Sequence, residues 1–423
     1  MADLLALSSR VIDSGIVDEP VNRITNELSE LAEGLAIVES FSHSVVLDAG
    51  EGLVAFDASH ARTGGDVVAA IRGWTATPVS HLVYTHGHAD HVGGSTAFAA
   101  EYGDMAVVGH RNVDIRFDRY SYTNNWNVLV NARQFGGVRG DFGMGDGAPE
   151  FIPSTTARPN HVVDDQDQIV VGDRTIEFRH ARGETDDHLW GWMPDEKWLF
   201  TGDFVIWNFP NAGNPQKVQR YPIEWAAALR EMIARGPELL VPAHGLPIEG
   251  RDRIARVLGD IAGALERLVS EVVDMMNAGE VLDTIIHSVH VPDDVLAKPY
   301  LRPLYDEPEF VVRNIWRQFG GWWDGAPSRL KPSPDAVLAA ELADLAGGAG
   351  VLIGRATVLS DAGDHRLACH LADLAGWAAP NDTGVHAARA LVYRARRAAE
   401  SSLMAKGIFA GAARESEAVA QHD

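Results

Sequence analysis

Three histidines and an aspartate lie within six consecutive positions of the segment YTHGHADHVGG. They are His86, His88, Asp90 and His91. Leaving so many titratable groups unpaired beside the apolar run HLVY would cost free energy, because buried polar groups are stable only with strong partners. A metal ion is such a partner. The segment therefore predicts a metal site, for which the rest of the sequence should supply further ligands.

Three later segments supply these ligands. Glu184 lies in RGETDDH, Asp203 in LFTGDF and His244 in LVPAHG, and each follows or ends a predicted strand. Loops held at one edge of a sheet can bring such side chains together.

The seven candidate ligands divide into two sets of three and one shared residue. Imidazole nitrogens with carboxylate oxygens, and no thiolate, favour zinc, with iron or manganese as alternatives. We therefore predict two Zn²⁺ ions per chain, with room for a water between them. The first set is His86, His88 and Glu184, the second set is Asp90, His91 and His244, and Asp203 is the bridging ligand.

Short β-like runs alternate with helical patterns up to about residue 270. SVVLDA and GLVAFDA resemble paired strands, and VSHLVYTHGHADH resembles a buried strand that runs into a loop. DQIVVGDRTIEFRHA and HLWGWMPDEKWLFTGD resemble hairpins. These patterns predict a mixed α/β domain that holds functional residues at the ends of its strands.

From about Arg251 the sequence becomes helical. RDRIARVLGDIAGALERLVSEVVDMMNAG repeats apolar residues at helical spacing and stops at Gly279, a residue suited to a C-cap. Ala- and Leu-rich segments follow, with Asp335 and Asp364 near the predicted helix starts. We predict a catalytic domain at residues 1–278 and an all-α domain at residues 279–423.

The order of the ligand motifs resembles that of the metallo-β-lactamase superfamily. Four separate segments occur in the family's order: His-x-His-x-Asp-His with Gly-Gly, the glutamate segment, TGD and PAHG. The resemblance implies an αββα sandwich. Many members have Gly-His-Thr at the third ligand segment, where this chain has Gly183, Glu184 and Thr185. A glutamate at that position resembles the alkylsulfatase branch.

The second half of the chain is also similar to alkylsulfatases. WRQFGGWWDGAPSRLKP looks like the segment that opens their dimerisation domain, and WAAPNDTGVHAARALVYRA continues the resemblance. A homodimer is implied. Two departures occur: alkylsulfatases carry a glutamate where this chain has Asp203, and they carry a C-terminal sterol-carrier-like domain before which this sequence ends. From the second departure we expect short or medium substrates rather than long-chain ones.

The resemblance also implies roles in catalysis. Arg220 falls where the family has an arginine, a natural planar donor to sulfate oxygens, and Asn125 matches a family asparagine at the anion subsite. Two zinc ions lower the pKa of a bridging water until hydroxide is available near neutral pH. Asp90 is positioned to accept or relay a proton as that hydroxide attacks. We therefore predict a dinuclear zinc hydrolase that cleaves an organic (alkyl) sulfate ester.

Other histidines and aspartates are expected to play lesser parts. His188 and Asp57 should support the ligands rather than bind metal. We expect ordinary surface or core roles for His60, His110 and His180, although His110 follows a strand-like run and could approach the cleft.

Other functions remain open at this point. The same metal centre could hydrolyse a lactone, amide, thioester or phosphoester. An iron enzyme of oxygen chemistry is a further alternative, but that branch has a glutamate at the position of His88 and adds a flavodoxin domain. A purely structural or partner-binding role would not explain the complete set of metal ligands.

Charge and composition limit the partners and the compartment. The net charge is −23, from 36 basic and 59 acidic residues, which repels nucleic acids and anionic membranes. A metal cluster can still attract a small anionic substrate. Cys369 is the single cysteine, so no internal disulfide can form, and no apolar run approaches the roughly 20 residues that span a bilayer. With no signal-peptide pattern at the start of the sequence, a cytoplasmic location is expected.

Overall fold

The computed structural model of the chain describes residues 3–135 and 149–421. They form two compact units that interleave along the chain. The first unit comprises Met1–Asn124, Glu150–Glu280 and Thr284–Gly321. The second comprises Asn125–Pro149, Val281–Asp283 and Trp322–Asp423. The domain boundary after residue 278 stays a prediction, and the first unit extends beyond it to Gly321.

A seven-stranded sheet of the first unit has its strands in the same order in space as along the chain. The strands are β1 (Leu28–Ala32), β2 (Leu35–Val38), β3 (Ser44–Asp48), β4 (Leu53–Phe56), β5 (Val79–Val83), β6 (Ala106–His110) and β7 (His161–Val163). β1 to β4 pair antiparallel, and β4 to β7 pair parallel. The predicted pairing of SVVLDA with GLVAFDA is confirmed, with Val45 opposite Phe56.

A six-stranded sheet follows in the order β13-β12-β11-β10-β9-β8. Its strands are β8 (Gln166–Val171), β9 (Arg174–His180), β10 (Leu189–Met193), β11 (Trp198–Gly202), β12 (Leu239–Pro242) and β13 (Ile248–Glu249). Only β11 and β12 pair parallel within this described sheet. Both predicted hairpins are confirmed, since β8 pairs with β9 and β10 pairs with β11.

The two sheets meet face to face around Phe56 of β4. Its ring stacks on that of Phe200 in β11, with centroids 4.2 Å apart. Gly191 of β10 makes this contact possible, because a Cβ there would lie 2.9 Å from the Phe56 ring. The interior between the sheets therefore excludes water, and strand ends of both sheets are held at fixed positions.

Helices cover the outer faces of the sheets. Val67 and Ile71 of α2 (Gly64–Trp74) and Phe98 of α4 (Ser95–Tyr102) are buried in the core of the first sheet, while α8 (Arg251–Asn277) packs on β12 and β13. The predicted αββα sandwich is confirmed. The helices of this part of the chain are α1 (Leu4–Ser14), α2 (Gly64–Trp74), α3 (Ala89–Val92), α4 (Ser95–Tyr102), α5 (Asn112–Tyr122), α7 (Pro222–Arg235), α8 (Arg251–Asn277), α9 (Leu282–Ser288), α10 (Asp293–Leu296) and α11 (Pro308–Gly320).

The second unit is helical, as predicted. Its core is rich in alanine, with Ala356, Ala368 and Ala372 fully buried, so neighbouring helices approach closely. Asp364 is the N-cap of α15 (His365–Ala378) and accepts a hydrogen bond from the backbone N–H of Leu367. Its helices are α6 (Asn124–Gln134), α12 (Pro327–Leu330), α13 (Asp335–Ala346), α14 (Ala349–Asp361), α15 (His365–Ala378), α16 (Thr383–Ala399) and α17 (Leu403–Ala420).

Within the described residues, no helix taken singly is long and apolar enough to cross a membrane. The pair α13 and α14, bent by 87°, meets that criterion only jointly and by length and composition alone.

Exposed leucines of the second unit allow a test of the predicted dimer. Leu338 and Leu345 are seven residues apart on α13, and 50% and 76% of their surfaces are exposed. Glutamates at both positions would place charge where we expect apolar contact between copies, so the dimer should dissociate. Light scattering at micromolar concentration should give about twice the 45.8 kDa chain mass for the wild type and about that mass for the variant.

The matched control is Val170→Glu, which changes an apolar residue of the first unit that is 62% exposed. It should leave the mass at that of the dimer. A monomeric wild-type protein would contradict the dimer.

Candidate metal centre

Four loops of the first unit bring the predicted ligands to one place. Each loop follows a strand, so the two packed sheets fix the positions at which the loops begin. The loop after β5 and the short helix α3 supply four ligands, and the loops after β9, β11 and β12 supply one each. In that order they carry His86, His88, Asp90 and His91, then Glu184, Asp203 and His244.

One group of ligand atoms is formed by His86, His88, Glu184 and Asp203. His86 Nε2 lies 2.8 Å from His88 Nδ1, and His88 Nδ1 lies 3.5 Å from Glu184 Oε1. Asp203 Oδ2 is 3.8 Å from His86 Nε2. The ligand atoms of this group all lie within 4.8 Å of one another, which is the spacing that a single ion can span.

The second group is formed by Asp90, His91 and His244. Asp90 Oδ2 lies 3.7 Å from His91 Nε2 and 3.4 Å from His244 Nε2. Asp203 reaches this group as well, with Oδ2 at 3.5 Å from His91 Nε2 and Oδ1 at 3.6 Å from His244 Nε2. The carboxylate of Asp203 therefore lies between the two groups, in the place predicted for a bridging ligand.

Unsatisfied atoms indicate that this centre fits metal ions. His91 Nε2 and Asp203 Oδ1 are buried and have no hydrogen-bond partner in the described parts of the chain. Such atoms are costly unless something compensates them. Nitrogen and oxygen donors without thiolate match the preferences of zinc and of other divalent transition metals. The donor set therefore fits a metal centre, and the identity and number of its ions stay predictions.

The charges of the centre also favour cations. Burial raises the pKa of Glu184 well above its ordinary value; Arg220 opposes this rise and Asp203 adds to it. Burial lowers the pKa of His86 and His88 well below the ordinary histidine value, so both rings are neutral and offer lone pairs. A divalent cation would take the place of the proton that Glu184 otherwise keeps, because metal binding requires deprotonated ligands.

Asp57 orients His91. Its Oδ2 lies 2.8 Å from His91 Nδ1, which leaves Nε2 facing the other ligands. The Asp57 carboxylate also accepts from the N–H of Thr85 at 2.8 Å and from its hydroxyl at 2.7 Å. Asp57 adopts a φ of 59°, a conformation that few residues other than glycine adopt. This carboxylate–histidine contact is the arrangement that fixes metal-binding histidines, as we expected for Asp57.

Asp187 and Arg116 hold the loop that carries His86 and His88. Asp187 Oδ2 accepts from the N–H of Gly87 at 3.0 Å and from Arg116 Nε at 2.8 Å. Both side chains are buried, so the ion pair is shielded from water. Neither residue was predicted from the sequence. The adjacent aspartates in RGETDDH were a signal for one of them, but nothing near α5 marked Arg116 as their partner.

His188 supports Asp203. Its Nε2 accepts from the backbone N–H of Asp203 at 3.2 Å, and its ring stacks on Phe204 with centroids 4.3 Å apart. The supporting role expected for His188 agrees with this geometry. Gly202 gives the ring its space, since a Cβ there would lie 2.5 Å from His188 Nε2. Its φ of 52° adds a second reason for glycine in the TGD motif.

Glu184 is held by two donors from one loop. Asn211 Nδ2 donates to Glu184 Oε1, and Arg220 Nη1 lies 3.2 Å from the same oxygen. Arg220 also donates to the Glu184 carbonyl, and its side chain is fully buried. In this arrangement the guanidinium positions Glu184. Its contact with substrate stays a prediction. Asn211, in the loop before Arg220, was not identified from the sequence.

Asn125 is exposed on α6 and belongs to the second unit. Its predicted role at the anion subsite stays untested. His110 and His180 stack on each other with ring centroids 3.8 Å apart. The ring of His60 packs edge-on against that of Phe41 with centroids 6.5 Å apart, and Phe41 packs edge-on against His244 at 6.2 Å.

Two family models match the chain. Residues 37–244 match the metallo-beta-lactamase superfamily. Residues 281–418 match the alkyl sulfatase dimerisation family. Residues 37–244 therefore belong to the metallo-β-lactamase superfamily, and residues 281–418 resemble the dimerisation region of alkyl sulfatases.

Characterised relatives point to the same branch. A linear primary-alkylsulfatase from Pseudomonas sp. is 29% identical over 343 residues, which cover 76% of this chain and 63% of that protein. The alkyl/aryl-sulfatase from Saccharomyces cerevisiae is 24% identical over 340 residues, which cover 74% of this chain and 51% of that protein. The chain thus matches less than two thirds of the length of these relatives.

A solved structure shares the fold. The stereoselective inverting sec-alkylsulfatase from Pseudomonas sp. superposes with a TM-score of 0.81 at 21% identity. The match covers 92% of this chain and 66% of that one. The likeness therefore includes the sandwich and most of the helical region.

Metal content tests the two groups of ligands. Zinc-loaded wild-type protein should contain two ions per chain. Glu184→Ala should lose selectively the ion shared with His86 and His88, because alanine cannot coordinate it. Asp203→Ala should weaken the binding of both ions. Elemental analysis after gel filtration measures this, with His161→Ala, which changes a partly exposed histidine, as the control. At most one ion in the wild type, with content unchanged in Asp203→Ala, would falsify the two-ion centre.

The role of Asp57 predicts an effect on one ion only. Asp57→Asn keeps the volume but removes the charge that orients His91, so the ion held with Asp90 and His244 should bind about 10- to 100-fold more weakly. Titration against a zinc chelator measures the two affinities. The control is Asp167→Asn, which removes a carboxylate at the same 2.8 Å from a partly exposed histidine, His161. Equal affinities in Asp57→Asn and the control would contradict the orienting role.

Proposed function

We propose that this chain is a dinuclear zinc hydrolase that cleaves an organic sulfate ester. The observation that carries the proposal is the placement of Glu184, which completes the His86 and His88 group and is itself held by Asn211 and Arg220. The match of residues 281–418 to the alkyl sulfatase dimerisation family also supports a sulfate ester as the substrate. So do the names of the relatives, two of which act on alkyl sulfates.

An anionic ester suits the charge of this centre. Three carboxylates, Asp90, Glu184 and Asp203, lie among the ligands. Two divalent cations would exceed their charge and leave the cleft positive, although the whole chain is acidic. A monoester of sulfuric acid carries one negative charge and would be attracted there.

The metal ions, when bound, would act as Lewis acids and lower the pKa of a water between them. Asp90 is the ligand carboxylate best placed to pass a proton to solvent. Its side chain is 25% exposed, against 7% for Asp203 and 4% for Glu184. We assign to Asp90 the acceptance of the proton from the attacking water. Asp203 and Glu184, which are shielded from solvent, keep fixed positions during the reaction.

A second candidate is favoured by one observation. Alkylsulfatases carry a glutamate at the bridging position, where Asp203 stands in this chain, as in the wider superfamily. The alternative is therefore a hydrolase of the same class that acts on a lactone, amide, thioester or phosphoester.

The proposal also includes the oligomeric state, the kind of substrate and the compartment. We infer a homodimer that acts on a small molecule in the cytoplasm. The net charge of −23 disfavours nucleic acid and anionic membranes as partners. A chain with one cysteine depends on no internal disulfide.

Sulfate release is the direct test of this function. Zinc-loaded protein should release sulfate and an alcohol from a series of alkyl sulfates that includes primary, secondary and aryl members. Asp203→Ala should reduce release to background, because it removes the ligand shared by both groups. A lactone, a β-lactam and a phosphodiester serve as comparison substrates. Hydrolysis of only those three would replace the sulfatase reading with the second candidate.

A further inference from the structure

The loop between β11 and α7 rests on a segment from the C-terminal part of the chain. This loop carries Asn211 and Arg220, the two residues that hold Glu184. The supporting segment runs from Asp306 into α11 (Pro308–Gly320) and belongs to the same compact unit as the metal centre. The contacts between the loop and this segment have no role so far.

Asp306 fixes the middle of the loop. Its side chain is fully buried, and its Oδ2 accepts from the backbone N–H of Gly213 at 2.6 Å. The other oxygen accepts from the N–H of Glu307 at 2.7 Å, which holds the carboxylate at the start of α11. Gly213 lies so close to the helix that a Cβ there would be 2.3 Å from the carbonyl carbon of Phe310. The backbone of the loop is therefore packed directly against the backbone of α11.

Asn314 of α11 fixes the end of the loop at Arg220. Its Nδ2 donates to the Arg220 carbonyl at 3.0 Å, and its Oδ1 accepts from the Arg220 N–H at 3.4 Å. Gln219 Nε2 donates to the same Oδ1 at 3.0 Å. Asn314 is itself buried, and buried backbone groups need such partners. One side chain therefore satisfies both the donor and the acceptor of the Arg220 backbone.

The fixed backbone determines where the Arg220 guanidinium reaches. The guanidinium donates to the Glu184 carbonyl and lies 3.2 Å from Oε1 of the same residue. A series of contacts therefore runs from Asn314 through Arg220 to Glu184, which is a ligand in one metal group only. In the other group, His91 is oriented by Asp57. The two ions should thus depend on α11 to different degrees.

We propose that Asp306 and Asn314 are positioning residues of the metal centre. They hold the loop that fixes Glu184, and they thereby strengthen the binding of the ion in the group that contains Glu184. Both lie within residues 281–418, which match the alkyl sulfatase dimerisation family. That region therefore contributes to the metal centre of its own chain. The inference rests on the metal centre of the proposed function and is independent of the substrate.

Zinc affinity measures this role without any reaction. In titrations against a chelator, Asn314→Ala should weaken the ion of the Glu184 group about 10-fold, the lower end of the usual loss for a partner behind a ligand. Asp306→Asn, which removes one of the two acceptor oxygens, should weaken the same ion. The ion of the other group should keep its wild-type affinity in both variants. Asn314→Asp loses the donor to the Arg220 carbonyl but keeps the acceptor, so it should show the same selective loss and replaces an alanine variant that does not fold.

Asn160→Ala is the matched control. Asn160 also bonds the backbone twice, since its Oδ1 accepts from the Val107 N–H at 2.8 Å and its Nδ2 donates to the Met105 carbonyl at 3.2 Å. It lies in the same unit but supports β6, which no ligand loop follows. This variant should bind both ions like the wild type. Unchanged zinc affinities in Asn314→Ala and Asp306→Asn, or an equal loss of both ions, overturn the inference.

A double-mutant cycle tests the route through Arg220. Arg220→Met alone should weaken the ion of the Glu184 group, because Glu184 loses a donor. Adding Asn314→Ala should then change the affinity for that ion little, since both substitutions remove the same link. Losses that add fully would overturn the positioning of Glu184 through Arg220.

The two proposals fail in different ways. A selective loss of zinc in Asn314→Ala, with a wild type that releases no sulfate from any ester, overturns the proposed function and supports the positioning role. Release of sulfate by the wild type, with wild-type zinc affinities in Asn314→Ala and Asp306→Asn, supports the function and overturns that role. A wild type that binds no ion beside Glu184 overturns both.

Discussion

The convergence of three carboxylates on one spot is the constraint that the rest of the structure depends on. Asp90, Glu184 and Asp203 are brought among four histidines by loops from two different sheets. Carboxylates at this distance repel one another, and burial adds a desolvation cost to each charge. Divalent cations remove both costs. The sandwich is thus a frame that holds an unfavourable cluster of charges ready for ions.

The supporting contacts follow from that constraint. A ligand side chain that could rotate away would relieve the repulsion between the carboxylates. Each ligand loop is therefore held in place by hydrogen bonds to buried residues. Asp57 holds His91, Asp187 holds Gly87, and His188 holds the backbone of Asp203. These partners are buried and are themselves held by hydrogen bonds or stacked rings. The centre is therefore organised before any metal arrives, which favours high affinity.

The ligands could be predicted from the sequence because their motifs are contiguous. The segment from His86 to His91 and the motifs around Asp203 and His244 each follow a strand that its apolar pattern reveals. The supporting partners could not be predicted, since Asp187 lies 100 residues from Gly87 and 71 from Arg116 in the chain. Only packing shows that they meet. The unit boundary was hidden for the same reason, because residues distant in sequence share one unit.

Anomalous diffraction from crystals of the zinc-loaded protein, collected on both sides of the zinc absorption edge, tests the central claim most directly. Two peaks per chain are expected about 3.5–4 Å apart, the usual spacing of two-metal sites. One peak should lie beside His86, His88 and Glu184 and the other beside Asp90, His91 and His244, with Asp203 in contact with both. A single peak, or two peaks of which Asp203 contacts only one, would contradict a two-ion centre bridged by Asp203.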